Sequence, residues 1–328
     1  MSSKVVICGA GFLGSNIAKA LTIGTSESNI FYRVQISSRS PQRTYDELKP
    51  LINPEQLLLP VAADVTNPDS LKKAFEDADV IVSLVGLMHG SVEDFNRIQW
   101  KGAENVAKAA KSAGARLVHF SAIGADPHSF IPYARTKALG ESAVFEVYPD
   151  ATVIRPSLVF GPGDGFFVRF GKLSQVLPFL PVFGGGTSRF QPVFVGDIAR
   201  AVEIIARNDP KIQESVQGKV IEAGGPEVFN YRQLMDIVLN YTERKRPVIS
   251  LPFALGAVQG FVMEQLPVNL FTVTRAQVEQ LKSDNVVNPS PPANHASFKD
   301  LVERHSGSPL KSVHEILPTY LKSSSSVF

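Results

Sequence analysis

The chain has a single cysteine, Cys8, among 328 residues, so it cannot form an internal disulfide. Cys8 lies at the end of an apolar run, where a small buried side chain is the expected role. Folding that depends on an oxidising compartment is therefore disfavoured. The run begins at Val5, which leaves no room before it for a signal peptide or an arginine-rich transit segment.

An excess of charge of one sign is also missing. The 33 basic and 31 acidic residues give a net charge of +2, which provides no bulk attraction to nucleic acid or to an acidic membrane. We expect no nucleic-acid partner. The longest uncharged apolar stretches are shorter than 18 residues, so no transmembrane helix is predicted. The six histidines show neither His-Glu-x-x-His spacing nor a companion cysteine cluster, so no metal site is predicted.

What the sequence does contain is an alternation of strand-like and helix-like patterns. Strands are expected at 5–8, 34–37, 58–62, 80–85, 116–121 and 152–155, with helical periodicity between them. This order is typical of an α/β fold with a Rossmann-type doubly wound parallel sheet. Residues 1–160 are expected to form a dinucleotide-binding domain that also receives a strand and a helix near 190–240. Most of 161–328 is expected to form a smaller, discontinuous substrate or docking lobe.

A glycine-rich turn follows the first apolar run as Gly9-Ala10-Gly11-Phe12-Leu13-Gly14. Gly9 suits a tight turn, Gly11 lets the backbone approach a pyrophosphate, and Gly14 lets the following helix pack closely on the strand. The position between a strand and a helix predicts a dinucleotide site, with Phe12 and Leu13 at the helix N-terminus beside the phosphates.

The end of the second expected strand indicates which dinucleotide is preferred. An acid that binds the ribose 2′-hydroxyl is common there in NAD sites, but this chain has no acid between Glu27 and Asp46. Ser38 and Arg39, supported by Arg43, are suited to a 2′-phosphate. NADP(H) is therefore favoured over NAD(H).

Two further segments are expected to contact the cofactor. Asp64 and Val65 follow the third strand, where they would contact the adenine. Val85 and Gly86 follow the fourth strand, where they would line the nicotinamide ribose. Both positions lie at the carboxyl ends of strands, where ligands bind in parallel sheets.

Tyr133 and Lys137 are four residues apart, so they share one face of the expected helix. A cation beside a phenol favours the phenolate and would lower the tyrosine pKa from its ordinary value near 10. The pair predicts a proton relay beside the nicotinamide. The alternative is an exposed tyrosine and lysine that share a helix face by coincidence.

From Lys4 to about Leu281 the chain resembles an extended or atypical short-chain dehydrogenase/reductase. The matching segments are the glycine turn, Asp64-Val65, Asn105, Tyr133-x-x-x-Lys137, residues 155–164, residues 191–199 and residues 274–281. The last two are similar to the NADPH-binding accessory subunits of respiratory complex I and their relatives in the coenzyme Q biosynthetic complex. That resemblance implies a mitochondrial protein on the matrix face of the inner membrane, within a multiprotein complex.

The resemblance also assigns roles to three residues. It implies that Tyr133 is the general acid/base, that Lys137 holds the nicotinamide ribose, and that a serine after the fifth strand orients the substrate. Ser121 is the candidate for that serine. The aligned catalytic position falls at Ala122 or Ile123, and the interval to Tyr133 is shorter than in sugar-nucleotide epimerases.

Apolar residues dominate two segments of the second half. Phenylalanine and leucine crowd residues 166–183, which we expect to cover the active cleft and to suit a flat apolar substrate. Residues 252–270 have a helical apolar pattern that would contact a membrane or a partner, or else form an ordinary core helix.

Two functions from different classes follow from these observations. The first is an NADPH-dependent oxidoreductase of mitochondrial quinone metabolism, in coenzyme Q biosynthesis, acting on a quinone-related or lipid-like carbonyl. The second is a non-catalytic, NADPH-bound structural or assembly subunit of a respiratory or quinone-synthesis complex. A sugar-nucleotide epimerase is a third alternative, disfavoured by the apolar substrate region.

Overall fold

A computed structural model describes residues 2–23, 30–267 and 269–322. The chain divides into two compact units, and it passes between them several times. Unit 1 consists of Met1–Pro156, Val195–Ala223 and Asn288–Pro309, and unit 2 consists of Ser157–Phe194, Gly224–Val287 and Leu310–Phe328.

The strands of unit 1 form one parallel sheet. They are β1 (Ser2–Cys8), β2 (Phe31–Ser38), β3 (Val61–Ala62), β4 (Val80–Ser83), β5 (Arg116–Phe120) and β6 (Thr152–Pro156). The short strands of unit 2 are β7 (Val159–Phe160), β8 (Leu180–Phe183), β9 (Arg189–Phe190) and β10 (Val193–Phe194). Later in the chain come β11 (Val220–Ala223) in unit 1, β12 (Phe229–Asn230) and β13 (Val248–Leu251) in unit 2, and β14 (His295–Ser297) in unit 1.

The helices of unit 1 alternate with its strands. They are α1 (Phe12–Ile23), α2 (Gln42–Leu48), α3 (Pro68–Ala74), α4 (Val92–Asp94), α5 (Gly102–Ala113) and α6 (Pro132–Val147), with a π-helical segment at Phe95–Lys101. The next are α7 (Phe167–Val176) in unit 2, α8 (Val195–Ala206) and α9 (Pro210–Val216) in unit 1, then α10 (Tyr231–Tyr241), α11 (Phe253–Met263) and α12 (Arg275–Gln280) in unit 2. The last are α13 (Phe298–Ser306) in unit 1 and α14 (Val313–Ile316) in unit 2. Single 3₁₀ turns occur at Gly184–Gly186 and Leu317–Thr319.

Within the described residues the sheet of unit 1 has the strand order β14-β11-β6-β5-β4-β1-β2-β3. Its pairings are all parallel. The central strands are covered on both faces, because Val5, Val6 and Ile7 are fully buried in succession. The predicted α/β fold with a Rossmann-type parallel sheet is confirmed.

Two local features of the sheet differ from the expectation. The third strand is short because Pro60 interrupts it, and a proline has no N–H to donate to the ladder. Upstream of Pro60, the chain makes only an isolated bridge between Leu57 and Val34. The edge strand β14 lies at the end of a segment rich in proline and asparagine, a composition that hides a strand from pattern analysis.

Unit 2 is built around the aromatic run that we expected to cover the active cleft, and that expectation is wrong for most of it. Phe167 and Leu180 are fully buried, Leu173 is 5% exposed, and Phe170 is 8% exposed. They belong to one core that also contains residues of α10 and α14. An apolar run shows that its side chains avoid water, but it does not show whether a substrate or the protein's own core covers them.

The lengths of the helices bear on whether the chain could cross a membrane. In the described parts of the chain, none of the helices combines the length and the apolar character that a bilayer crossing needs.

Candidate active site

The glycine turn has the geometry that a dinucleotide cradle requires. Gly9 has a φ of +142°, and a Cβ added there would lie 2.7 Å from the Leu84 Cβ. A Cβ on Gly14 would lie 2.1 Å from the Gly9 carbonyl oxygen, so this glycine permits the close packing of α1 on the turn. At Gly11 nothing lies within 4 Å of an added Cβ, which leaves open space at the N-terminus of α1. Open space there suits a pyrophosphate.

The end of β2 lies beside this turn. The backbone N–H of Gly9 donates to the Ser37 carbonyl, and the Thr44 hydroxyl donates to the Ala10 carbonyl. Arg39 follows directly and is exposed. Arg43, by contrast, pairs with Glu47 at 3.0 Å on the surface of α2. Arg39 is therefore the cation better placed to reach a ligand at the turn.

Asp64 and Val65 are held rigidly after β3. The Asp64 carboxylate accepts from the backbone N–H and the hydroxyl of Thr66, and these bonds hold its pKa below its usual range. The Asn105 side chain donates to the Val65 carbonyl, and a Cβ on Gly102 would lie 2.6 Å from the Val65 Cγ2. Helix α5 thus fixes the loop that was expected to contact the adenine.

Lys137 joins α6 to the ends of two strands. Its ammonium group donates to the carbonyls of Val85 and Phe120, each at 2.8 Å. Gly86 is exposed, and a Cβ there would lie 3.2 Å from the Lys137 Nζ. The structure thus brings the expected nicotinamide-side residues Val85, Gly86 and Lys137 together.

The surroundings of Lys137 control its charge. Burial lowers the pKa of Lys137 to about 8, and Glu141 one turn later partly opposes this. The Arg155 guanidinium holds the Glu141 carboxylate with bonds of 2.9 and 2.6 Å. Burial and the charge of Lys137 lower the pKa of His119 to about 3, so His119 is a neutral partner of Ser83, 3.2 Å away.

Tyr133 does not follow the expected direction of its pKa. Burial raises the pKa of Tyr133 to about 12, whereas a neighbouring cation was expected to lower it. The physical reason is the burial of the phenol, and the Lys137 ammonium donates to two backbone carbonyls. Phe95 also packs edge-on against the Tyr133 ring, with a centroid distance of 6.4 Å. The phenol is therefore protonated at neutral pH.

Ser121 lies immediately after β5, and it is 5% exposed. Its backbone N–H donates to Ile154, but its buried hydroxyl has no hydrogen-bond partner among the described residues. A buried hydroxyl without a partner costs free energy, so such a group is suited to a ligand or a water molecule.

Gln99 is a positioning residue that the sequence patterns did not reveal. It lies in the π-helical segment and is 1% exposed. Its Oε1 accepts from the Leu87 N–H, and its Nε2 donates to the Tyr133 carbonyl and the Thr136 hydroxyl. π-Helical turns concentrate at functional sites, but a glutamine inside a helical pattern carries no signal of its own.

The residues present fit a nicotinamide dinucleotide. Gly11 leaves room at a helix N-terminus, Gly86 is exposed beside Lys137, and Arg39 extends from the end of β2. Unit 1 alone supplies all of the residues predicted to bind the cofactor. In the described residues, no three side chains of His, Cys, Asp or Glu converge in a way that could hold a metal ion.

One protein-family model matches more than half of the chain. The model of the NAD dependent epimerase/dehydratase family matches residues 5–224. This range begins in β1, includes Tyr133 and Lys137, and ends just after β11.

Individual relatives include a subunit of respiratory complex I and a reductase. The chain is 29% identical over 295 residues to NADH dehydrogenase (ubiquinone) 1 alpha subcomplex subunit 9, mitochondrial, of Arabidopsis thaliana, a match that covers 84% of this chain and 70% of the relative. It is 31% identical over 205 residues to a ceramide reductase of Caulobacter vibrioides, covering 62% of this chain and 61% of that protein. The resemblance to accessory subunits of complex I is confirmed.

Solved structures share the fold. DesIV, a dTDP-glucose 4,6-dehydratase from Streptomyces venezuelae with NAD bound, superposes with a TM-score of 0.68. The match covers 97% of this chain and 96% of DesIV at 18% identity. Identity this low shows a common fold and nothing about the substrate.

The two glycines of the turn should respond differently to alanine. Gly14→Ala places a methyl group against the Gly9 carbonyl, so we expect a loss of at least about 3 kcal/mol in the free energy of unfolding, or insoluble protein. Gly11→Ala should change stability by less than about 1 kcal/mol but weaken dinucleotide binding at least tenfold. Urea unfolding and binding titrations measure both effects. Equal destabilisation by the two variants would contradict this account of the turn.

Replacing Gln99 should weaken dinucleotide binding by more than the loss of stability alone would explain. Gln99→Leu leaves the Leu87 N–H without its partner and removes the bonds to Tyr133 and Thr136, so we expect a loss of about 1–3 kcal/mol in stability and weaker binding of the dinucleotide. Gln56 is a suitable control, because its amide donates to the Tyr32 carbonyl away from the turn. Gln56→Leu should lower stability and leave binding unchanged. If both variants bind the dinucleotide like wild type, Gln99 does not position the site.

Proposed function

This chain belongs to the NAD dependent epimerase/dehydratase family, and on that basis we propose that it is an oxidoreductase that uses NADPH to reduce an apolar carbonyl. The observation that carries the proposal is the position of Lys137, whose ammonium group joins the helix of Tyr133 to Val85 and Phe120. This contact supports a site at the carboxyl ends of the strands, where ligands bind in parallel sheets.

The chemistry divides between the cofactor and two side chains. When bound, NADPH supplies a hydride to the carbonyl carbon. Tyr133 donates the matching proton to the carbonyl oxygen, so the carbonyl becomes an alcohol. Tyr133 is protonated at neutral pH, because burial raises its pKa to about 12, and it therefore carries the proton that reduction consumes. Lys137 anchors the helix of Tyr133 and presents its charge beside Gly86.

We infer the substrate class from two exposed apolar residues of unit 1 that are close to Gly86 and Tyr133 in the sequence. Met88 is 62% exposed two residues after Gly86, and Phe130 is 75% exposed three residues before Tyr133. Exposed large apolar side chains beside a site favour a quinone-related or lipid-like carbonyl over a sugar nucleotide. The similarity to a protein named ceramide reductase supports the same class.

The cellular setting is inferred from relatives. Subunit 9 of the complex I alpha subcomplex is named as mitochondrial in Arabidopsis thaliana, Dictyostelium discoideum and Rattus norvegicus. We propose that this chain is also mitochondrial and acts on the matrix face of the inner membrane, in a multiprotein complex of quinone metabolism such as coenzyme Q biosynthesis.

A second function is favoured by the residues that follow β5. Ala122 and Ile123 occupy the positions where the family's catalytic serine is expected, and neither carries a hydroxyl. Loss of one oriented hydrogen bond reduces turnover about a hundredfold or more. The protein would then be a non-catalytic subunit in which bound NADPH stabilises the fold by mass action.

Tyr133→Phe separates the two functions. We expect wild-type protein to oxidise NADPH in the presence of an apolar quinone or lipid-like ketone. The variant should lose this activity at least a hundredfold and keep its affinity for NADPH, because only the proton donor is removed. The measurement is NADPH absorbance across a panel of such carbonyls. If wild type binds NADPH tightly and turns over none of them, the subunit function replaces the enzyme.

Arg39→Ala tests the choice of cofactor. NADPH should raise the melting temperature of wild type more than NADH does, because Arg39 can pair with the 2′-phosphate. The variant should lose that difference. Arg43→Ala is the matched control, since Arg43 already pairs with Glu47 on the surface. Equal shifts by the two cofactors in wild type would show that Arg39 does not select the phosphate.

A further inference from the structure

A buried polar pair lies where the pairing of β4 with β5 ends. Ser83 is the last residue of β4 and is fully buried, and His119 is its partner on β5 and is 1% exposed. The His119 Nδ1 lies 3.2 Å from the Ser83 hydroxyl oxygen, so a side-chain hydrogen bond joins the two strands at their last paired position. Neither side chain takes part in the proton or hydride transfer proposed for Tyr133 and NADPH.

Each of the two strands follows its other neighbour beyond this pair. The Leu84 N–H donates to the Cys8 carbonyl of β1. The Ser121 N–H donates to the Ile154 carbonyl of β6. The backbone ladder therefore no longer joins the ends of β4 and β5.

The Lys137 ammonium group bridges these two ends. It donates to the Val85 carbonyl, which lies two residues after Ser83. It also donates to the Phe120 carbonyl, which directly follows His119. An ammonium group has three N–H donors, and within the described residues only these two bonds use them, so one N–H is available to a ligand. Where that N–H points depends on the separation of the two carbonyls.

Stability alone does not explain a polar pair at this place. Two positions earlier on the same face of the two strands, Ile81 and Leu117 are partners and belong to an apolar core. Replacing both members of a buried hydrogen bond by apolar groups of similar shape is often nearly neutral for stability, whereas removing one member is costly. An apolar pair in place of Ser83 and His119 would therefore serve the fold about as well.

The His119 ring is also a neighbour of Lys137. Burial and the charge of Lys137 lower the pKa of His119 to about 3, so the imidazole is neutral at neutral pH. A neutral ring beside the ammonium group occupies space next to it and leaves its charge unopposed. The pair thus combines a link between the strands with a contact to the lysine that bridges them.

We propose that Ser83 and His119 are positioning residues for the nicotinamide end of the cofactor. The hydrogen bond between them fixes the separation of the ends of β4 and β5, and this separation places the Lys137 ammonium group between its two carbonyls. The remaining N–H of Lys137 is thereby held in one direction. This role rests on the proposed function, because it requires Lys137 to lie beside the nicotinamide ribose.

Two ligands distinguish the two ends of the cofactor. NADPH contains the nicotinamide ribose, whereas adenosine 2′,5′-bisphosphate contains only the adenosine end with its 2′-phosphate. We expect Ser83→Ala/His119→Leu to bind NADPH about tenfold more weakly than wild type and to bind the bisphosphate equally well. The melting temperature should stay within about 2 °C of wild type, because neither member of the pair is left unpaired. Calorimetric titration and thermal unfolding measure these effects.

Three further variants separate positioning from a general loss of packing. Ser83→Ala alone is a smaller change that leaves His119 unpaired, so it should lower the melting temperature and weaken NADPH but not the bisphosphate. His119→Asn keeps an amide near the position of Nδ1 and should bind NADPH nearly as tightly as wild type. Thr152→Val removes a buried hydroxyl that donates to the Val216 carbonyl at the start of β6. It should lower the melting temperature and leave both ligands unaffected.

Lys137→Met tests the cofactor site itself. This variant should weaken NADPH and leave the bisphosphate unchanged. If it binds NADPH like wild type, the proposed cofactor site is wrong and the positioning role is wrong as well. If it weakens NADPH while the variants of Ser83 and His119 do not, or if those variants weaken both ligands equally, the pair contributes only to the fold.

Discussion

The candidate site depends on one interaction, the donation by the buried Lys137 ammonium group to the carbonyls of Val85 and Phe120. The Val85 carbonyl lies two residues after β4 and the Phe120 carbonyl lies at the end of β5, while Lys137 belongs to α6. A single cation thus sets the distance between the helix of Tyr133 and two strands of the sheet. The charge is costly to bury, and burial lowers the pKa of Lys137. Glu141, held by Arg155, offsets part of it.

Gln99 and Asn105 hold the loops of this site in place through hydrogen bonds. Gln99 joins the loop after β4 to the first turn of α6, and Asn105 holds the loop after β3. Both lie on the helical stretch between β4 and β5, one in its π-helical part and the other in α5. The wider π-helical turn places Gln99 where it can contact two elements. Such rigid support is what a site needs to hold a ligand in one orientation.

The parts of the site that could be predicted from the sequence are those whose chemistry is local. Gly9, Gly11 and Gly14 form a cradle within six residues, and Tyr133 and Lys137 share a helix face by spacing alone. The direction of the Tyr133 pKa was not predictable, because it depends on how deeply the phenol is buried. The burial of Phe167 and Phe170 also depends on α10 and α14, which are distant in sequence. Tertiary packing determines whether such side chains are buried, and the periodicity of the sequence carries no information about that packing.

The interleaving of the two units orders the events of folding during synthesis. The sheet of unit 1 receives β11 only after residues 157–194 of unit 2 have been made, and β14 only after residues 224–287. Until β11 has been made, β6 has an unpaired edge, which is an aggregation hazard in a nascent chain. A ribosome adding about 5–20 residues per second leaves that edge open for several seconds. We therefore expect the newly made protein to depend on chaperones that cover strand edges, more than its stability once folded would suggest.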